Sequence, residues 1–321
     1  MKKLITVACV AAICGVAWAA DEVKPVPTSA PGKEAAAKEE EEETDESPLE
    51  GLVSVEAGVA LDSKFLSYGL VDNNDPILTP SASITFFDWL TFGVEALFDV
   101  TKYGKKAGYS NRAGRYMELD PSVELRHTFS PEDASWLPTA VELAVGYMYE
   151  YHPRSMGGGT GEPGDDTQFV TFEIGLPDLW IEPTFSYERD IDRDNGTYLN
   201  LELGHEFSLI DGEGEDADPV LALRPSVAQG FGNSQRVGGY LCKDWDEGTP
   251  LHHAGLMDFC AKLELTWNIC ENLSLSGYIA YSDYWFDSNM RDGARAHNAA
   301  WGHGCDHSWN FYGGIALGVS F

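Results

Sequence analysis

The clearest pattern lies at the C-terminal end of the chain. Trp309, Phe311, Gly313, Ile315, Leu317, Val319 and Phe321 share one parity, and Asn310, Tyr312, Gly314, Ala316, Gly318 and Ser320 share the other. Period two with one apolar face and one small or polar face predicts a β-strand. The pattern recurs. Leu199, Leu201, Leu203, Phe207 and Leu209 alternate with Asn200, Glu202, Gly204, Glu206 and Ser208, and Leu263, Leu265, Trp267 and Ile269 alternate with Lys262, Glu264, Thr266 and Asn268. Val141 to Glu150 and Val94 to Asp99 behave alike. A helix would mix the two sets on every face.

Such segments predict strands at 51–70, 77–88, 90–103, 116–129, 139–151, 167–176, 180–190, 197–209, 219–231, 256–269, 273–286 and 307–321. The links between them alternate in length. Asp88-Trp89, Leu176 to Leu179 and Cys270 to Asn272 are short, whereas 104–115, 152–166, 232–255 and 287–306 are long. The links at 72–76 and 191–196 are short for their side. An even strand number, short turns on one side and long loops on the other predict an all-β fold. It is an antiparallel transmembrane β-barrel of about 12 strands with a disordered N-terminal tail. A soluble β-sandwich would alternate too. Lipid is favoured by the leader described next, by the terminal Phe321, and by aromatics near segment ends: Trp89, Trp136, Trp180, Tyr281, Trp285 and Trp309.

The N-terminus reads as three parts. Lys2 and Lys3, the apolar run Leu4 to Val16 and Ala17-Trp18-Ala19 make residues 1–19 a signal peptide. Ile13 is too bulky for the small residue expected before a lipidated Cys14. Residues 20–50, with Pro25, Pro27, Pro31 and the acidic run Glu39 to Glu43, predict a disordered periplasmic tail. Residues 51–321 are the barrel, which places the protein in the cell outer membrane. No later stretch is long and apolar enough for a spanning helix.

Charge narrows the function. The chain has 321 residues and a formal net charge of −31, which excludes nucleic acid as a partner. If the apolar face meets lipid, the other face lines a lumen. The pore-lining candidates are Glu56, Glu95, Asp99, Glu124, Arg126, Glu142, Glu173, Glu182, Glu202, Arg224 and Glu264. Asp62, Glu118, Asp120, Glu150, Glu188, Glu206 and Lys262 share the inward parity. Carboxylates crowded in a confined passage concentrate cations and repel anions. The expected function is a porin-like channel for passive diffusion of small solutes, cations favoured. The alternative is a closed structural or adhesive barrel without conductance. The partners are the lipid bilayer and small solutes or cations, and a homo-oligomer stays open.

Catalytic motifs are missing: there is no G-x-S-x-G elbow, H-E-x-x-H helix or phosphate-binding G-x-x-x-x-G-K. The reading is therefore of a non-enzyme without a cofactor. His303-Gly304-Cys305-Asp306-His307 has metal-ligand residue types without a recognised two-pair spacing. A disulfide is the favoured use of Cys305, with Cys242 as partner. Cys260 could instead close the loop from Cys242, and no metal site is assigned.

Ser54 to Val100 carries one further signal. Ser63-Lys64-Phe65, then Gly69, a polar loop from Asp72 to Pro80, and Phe92-Gly93 on the next strand follow in order. This run, with the C-terminal strand, resembles the opening of the TorF-type porins, the Gcw-chp family. The resemblance implies an outer-membrane barrel of porin type with no catalytic residues. It departs at the family's arginine, where this chain has Tyr68.

Overall fold

The computed structural model describes residues 52–101, 114–152, 166–212, 214, 217–242, 250–301 and 306–321. The predicted signal peptide and the acidic tail lie outside them, as do Cys305 and His303.

The barrel staves follow the alternating segments. They are β1 (Val53–Asp62), β4 (Ile77–Phe86), β5 (Leu90–Asp99), β6 (Arg115–Phe129), β7 (Val141–Glu150), β8 (Thr167–Gly175), β9 (Thr184–Asp190), β10 (Thr197–Gly204), β12 (Leu221–Gly232), β13 (Gly255–Cys270), β14 (Leu273–Asp283) and β15 (Asn310–Ser320). Each pairs antiparallel with its neighbours, and β1–β15 and β10–β12 close the ring. A short β11 (Phe207–Ile210) continues the β10 stave along β12 after a break at His205-Glu206. Closure leaves no unpaired edge, which a hydrocarbon surrounding requires.

The outward parity is apolar all round. Phe92, Leu125, Val145, Leu201, Leu265 and Ile315 all stand exposed, Ile315 by 58%. A continuous apolar belt of this kind is far larger than the patches soluble proteins tolerate. Aromatics mark both rims. Phe87 stacks on Trp89 at the end with the tight turns, and Phe259 stacks on Trp285 at the end with the loops. These two ends are called the turn end and the loop end. Both Leu52 and Phe321 lie at the turn end, where Val55 and Phe321 exchange backbone hydrogen bonds of 2.9 Å.

Three segments depart from the predicted layout. The first strand ends at Asp62 and does not run to 70. After it comes a separate hairpin, β2 (Phe65–Ser67) and β3 (Leu70–Asn73). Its two-residue turn, Tyr68-Gly69, has φ of 51° and 74°. Both central residues positive is the turn whose twist suits a hairpin. The long links contain helices α1 (Ser234–Tyr240) and α2 (Ser288–Trp301). Asn233 caps α1 by accepting from Arg236 N at 2.9 Å. Asp287 does the same for α2 through Asn289 N at 2.8 Å and Met290 N at 3.2 Å.

These three segments fold into the lumen and pack together. Leu70, Val237, Leu241, Leu251, Met257, Tyr284, Met290 and Ala294 form a buried cluster with Tyr68, Tyr198 and Tyr240 against it. The staves send most of their large apolar side chains outward, so the loops supply most of this core, joined by Met257 from β13 and Tyr198 from β10. Val71 N of the hairpin donates to Asn298 Oδ1 of α2 at 2.9 Å, and Asn310 Nδ2 on β15 fixes the plug to the wall by donating to Gly69 O at 3.1 Å. The result is a plug at the loop end.

Candidate functional site

Below the plug the lumen opens into a cavity of about 1350 Å³, lined by Glu56, Glu95 and Asp120. Much of the rest of its wall is small residues. Gly58, Ser81, Ser83, Gly93, Ser122 and Gly318 all face it from β1, β4, β5, β6 and β15. Side chains this short leave the space unfilled, so the inward parity of those staves is what makes the cavity. Turn-end residues, among them Gly212, Asp218 and Cys270 to Asn272, line the same space.

The candidate residues divide into paired and unpaired sets. Arg126 on β6 is held by Glu124 through Nε at 2.8 Å, by Glu173 through Nη1 at 2.8 Å, and by Glu142. One guanidinium thus serves three carboxylates on β6, β7 and β8. Arg224 on β12 pairs with Glu182, and with Glu202 on β10 at 3.5 Å. Glu264 lies directly across from Arg224 in the ladder, and Lys262 Nζ reaches it at 2.9 Å. Glu56 and Glu95 have no basic partner among the described residues. Their negative charge faces the cavity.

Two candidates are placed differently from the expectation. Glu182 is not on a strand. It sits in the turn before β9 with φ of 37°, and its carboxylate still reaches Arg224. Asp99 faces inward but is spent locally: it accepts from Thr101 N at 2.8 Å and Thr101 Oγ1 at 3.0 Å, which ties down the start of the next loop. Cys242 is buried and forms no disulfide with another described cysteine, Cys260 included. The expected partner Cys305 lies outside the described residues.

The pattern reading missed the plug lock. Tyr68 Oη donates to Glu188 on β9, and Arg236 on α1 donates to Tyr68 Oη at 3.0 Å and to Glu188 at 3.1 Å. The guanidinium also lies 4.7 Å from the Tyr68 ring centroid. Arg236 is fully buried. Such a charge is tolerable only because it is paired and hydrogen-bonded. Tyr68 stands where the resemblance would place an arginine, and the arginine that meets it comes from α1. Outside the spanning staves, burial holds His297 of α2 well below the ordinary histidine value, at about 4.

No protein-family profile and no curated protein matches the chain. Solved structures resemble it weakly. An outer membrane channel from Pseudomonas putida F1 aligns with a TM-score of 0.45 and 10% identity over 84% of this chain and 96% of that one. In-vitro folded OmpT, an outer membrane protein of Vibrio cholerae, gives 0.34 and 10% over 84% and 96%. Acinetobacter baumannii OccAB2 gives 0.34 and 10% over 82% and 59%.

Proposed function

We propose that this chain is an outer-membrane channel for small polar solutes, with a preference for cations set by its acidic lumen. One observation carries the reading: a closed barrel encloses a cavity of about 1350 Å³ faced by Glu56, Glu95 and Asp120. Carboxylates in a narrow passage with low-dielectric walls raise the local cation concentration. Passage is diffusive, through a lumen that presents charge and small polar groups.

The plug favours a second reading, a barrel that is closed at rest. Its buried cluster lies across the loop end, and contacts reach the wall at β6, β9, β13 and β15 through Asn73, Tyr68 and Gly69. A channel built this way conducts only when the plug shifts.

The experiment is single-channel recording of the refolded protein in a planar bilayer under a salt gradient. Steps with a reversal potential favouring cations support the channel. Rare steps that become frequent when β2–β3 is deleted support a channel gated by the plug. Silence from a folded barrel, with and without that hairpin, overturns both in favour of a structural barrel.

A further inference from the structure

At the seam between wall and plug stands a group that conduction does not require. Glu118 lies near the loop end of β6, Glu150 ends β7, and His152 follows two residues on. One ligand atom from each lies within 4.8 Å of the others. His152 Nε2 is 3.4 Å from Glu118 Oε2 and 3.5 Å from Glu150 Oε1. A tetrahedral ion with donors at about 2.1 Å holds those donors about 3.4 Å apart. His152 therefore stands from each glutamate at the spacing of two ligands on one ion, which is also the long limit of a direct hydrogen bond.

A second observation points the same way. Asp120 is only 9% exposed, and its Oδ1 is buried with no hydrogen-bond partner. Its carboxyl approaches that of Glu118 within hydrogen-bonding reach and lies within electrostatic reach of Glu150, and two such acceptors meet only with a proton or a cation between them. A buried acceptor left without a donor is rare, because desolvating it is costly. A cation between Asp120, Glu118 and Glu150 would satisfy it.

Charge completes the case. Glu118 interacts with Glu95, Asp120, Glu150 and Asp72, the last on the plug hairpin. Against these five carboxylates stand His152 and Arg193. The carboxylates outnumber the bases, so the group holds more oxygen donors than its own cations can pair. The donor set decides the kind of ion. Calcium and magnesium take oxygen ligands, whereas one imidazole among carboxylates suits a borderline transition ion.

We propose that Glu118, Glu150 and His152, with Asp120 beside them, form a binding site for a divalent transition-metal ion of the zinc class. The ion sits where the barrel wall meets the plug, next to Asp72, and ties the two together.

The test uses the full mature chain, refolded, stripped with a chelator and titrated with Zn²⁺ by calorimetry. Binding is read without conductance, so it stands or falls apart from the channel reading. The wild type binds one ion at this site, and E118Q and H152A each weaken that binding at least tenfold. A H303A/H307A variant, which removes the loop histidines, keeps it. Should E118Q or H152A disturb folding, wild-type protein alone suffices: Zn²⁺ protects His152 from diethyl pyrocarbonate. Binding unchanged in E118Q and H152A, or no protection of His152, overturns the proposal and leaves His152 as a simple partner of two glutamates.

Discussion

Tyr68 and Glu188 meet inside the barrel although 120 residues separate them in the chain. The phenol comes from the tip of an inward hairpin and the carboxylate from the wall. Arg236 bridges the two with bonds of 3.0 and 3.1 Å, so hairpin, helix and wall share one lock. Y68F removes the shared hydroxyl and leaves Arg236 with Glu188 and Asp194, the latter at 3.6 Å. Plug docking should weaken by about 1.5–3 kcal/mol, the range for hydrogen bonds to charged groups. R236A should cost about 3–5 kcal/mol, because it leaves buried carboxylates without their cation. Hydrogen exchange at Leu70 and Val71 reads both. Equal protection in wild type and R236A would sink the lock.

The hairpin turn gives a second handle. Gly69 has φ of 74°, and a Cβ there would lie 2.5 Å from Asp258 Cβ on β13. Alanine is thus opposed both by its backbone and by the wall. The left-handed backbone alone costs about 1–2 kcal/mol, and the clash must push the hairpin away from β13. G69A should leave the barrel folded, since the hairpin is not a stave, while raising the frequency of open events in single-channel records. A trace indistinguishable from wild type would show that the hairpin does not close the lumen.

The twelve staves were legible because period two is local: Leu263 to Ile269 announces itself without reference to any other strand. The same locality explains the errors. Alternation continues past Asp62, and nothing nearby says that Phe65 to Asn73 leaves the wall and turns inward. Helix α2 was visible in principle. Asp287 is a capping residue, and Met290, Ala294 and His297 follow at spacings of four and three, all buried. What buries them comes from Leu70 and Val237, far away in the chain, and that packing no pattern reports. Glu118 and Glu150 were on the inward parity, but His152 belonged to a long link. Only the ladder between β6 and β7 brings the three together.

Burial of His297 and of Asp72 gives the plug two opposed responses to acid. The His297 value of about 4 in place of 6.5 means that the released helix takes up a proton before the docked one does. The histidine's own contribution is constant above pH 6.5, weakens docking by about 1.4 kcal/mol per unit as pH falls from 6.5 to 4, and changes no further below that. Asp72 Oδ1 lies 3.9 Å from His297 Nε2, and burial raises that carboxyl from 3.8 to about 7. The docked hairpin therefore takes up the Asp72 proton before the released one does, which strengthens docking by a similar amount per unit as pH falls from about 7 to 3.8. The two groups oppose each other, so open events should change little between pH 6 and pH 4.5 in wild type. H297Q should make them rarer as pH falls, and D72N should make them more frequent. A pH response the same in both variants as in wild type would place the acid sensor elsewhere.

Selectivity follows from which lumen carboxylates lack a base. Glu95 faces the cavity with no basic partner among the described residues, whereas Glu124, Glu142 and Glu173 surround Arg126. One charge about 8 Å from the ion path, screened by water, is worth about 0.5 kcal/mol, or about twofold in permeability ratio. E95Q should thus lower the cation-to-anion ratio about twofold, and E56Q/E95Q about fourfold. R126A should shift the ratio the other way, because three carboxylates lose the guanidinium that offsets them. It should also loosen the wall at β6–β8, so its folding is checked by heat-modifiable gel mobility before recording. Opposite displacements of the reversal potential by E95Q and R126A locate the selectivity in fixed lumen charge. Displacements in the same direction would mean that the plug, and not the charge of the cavity, decides which ions pass.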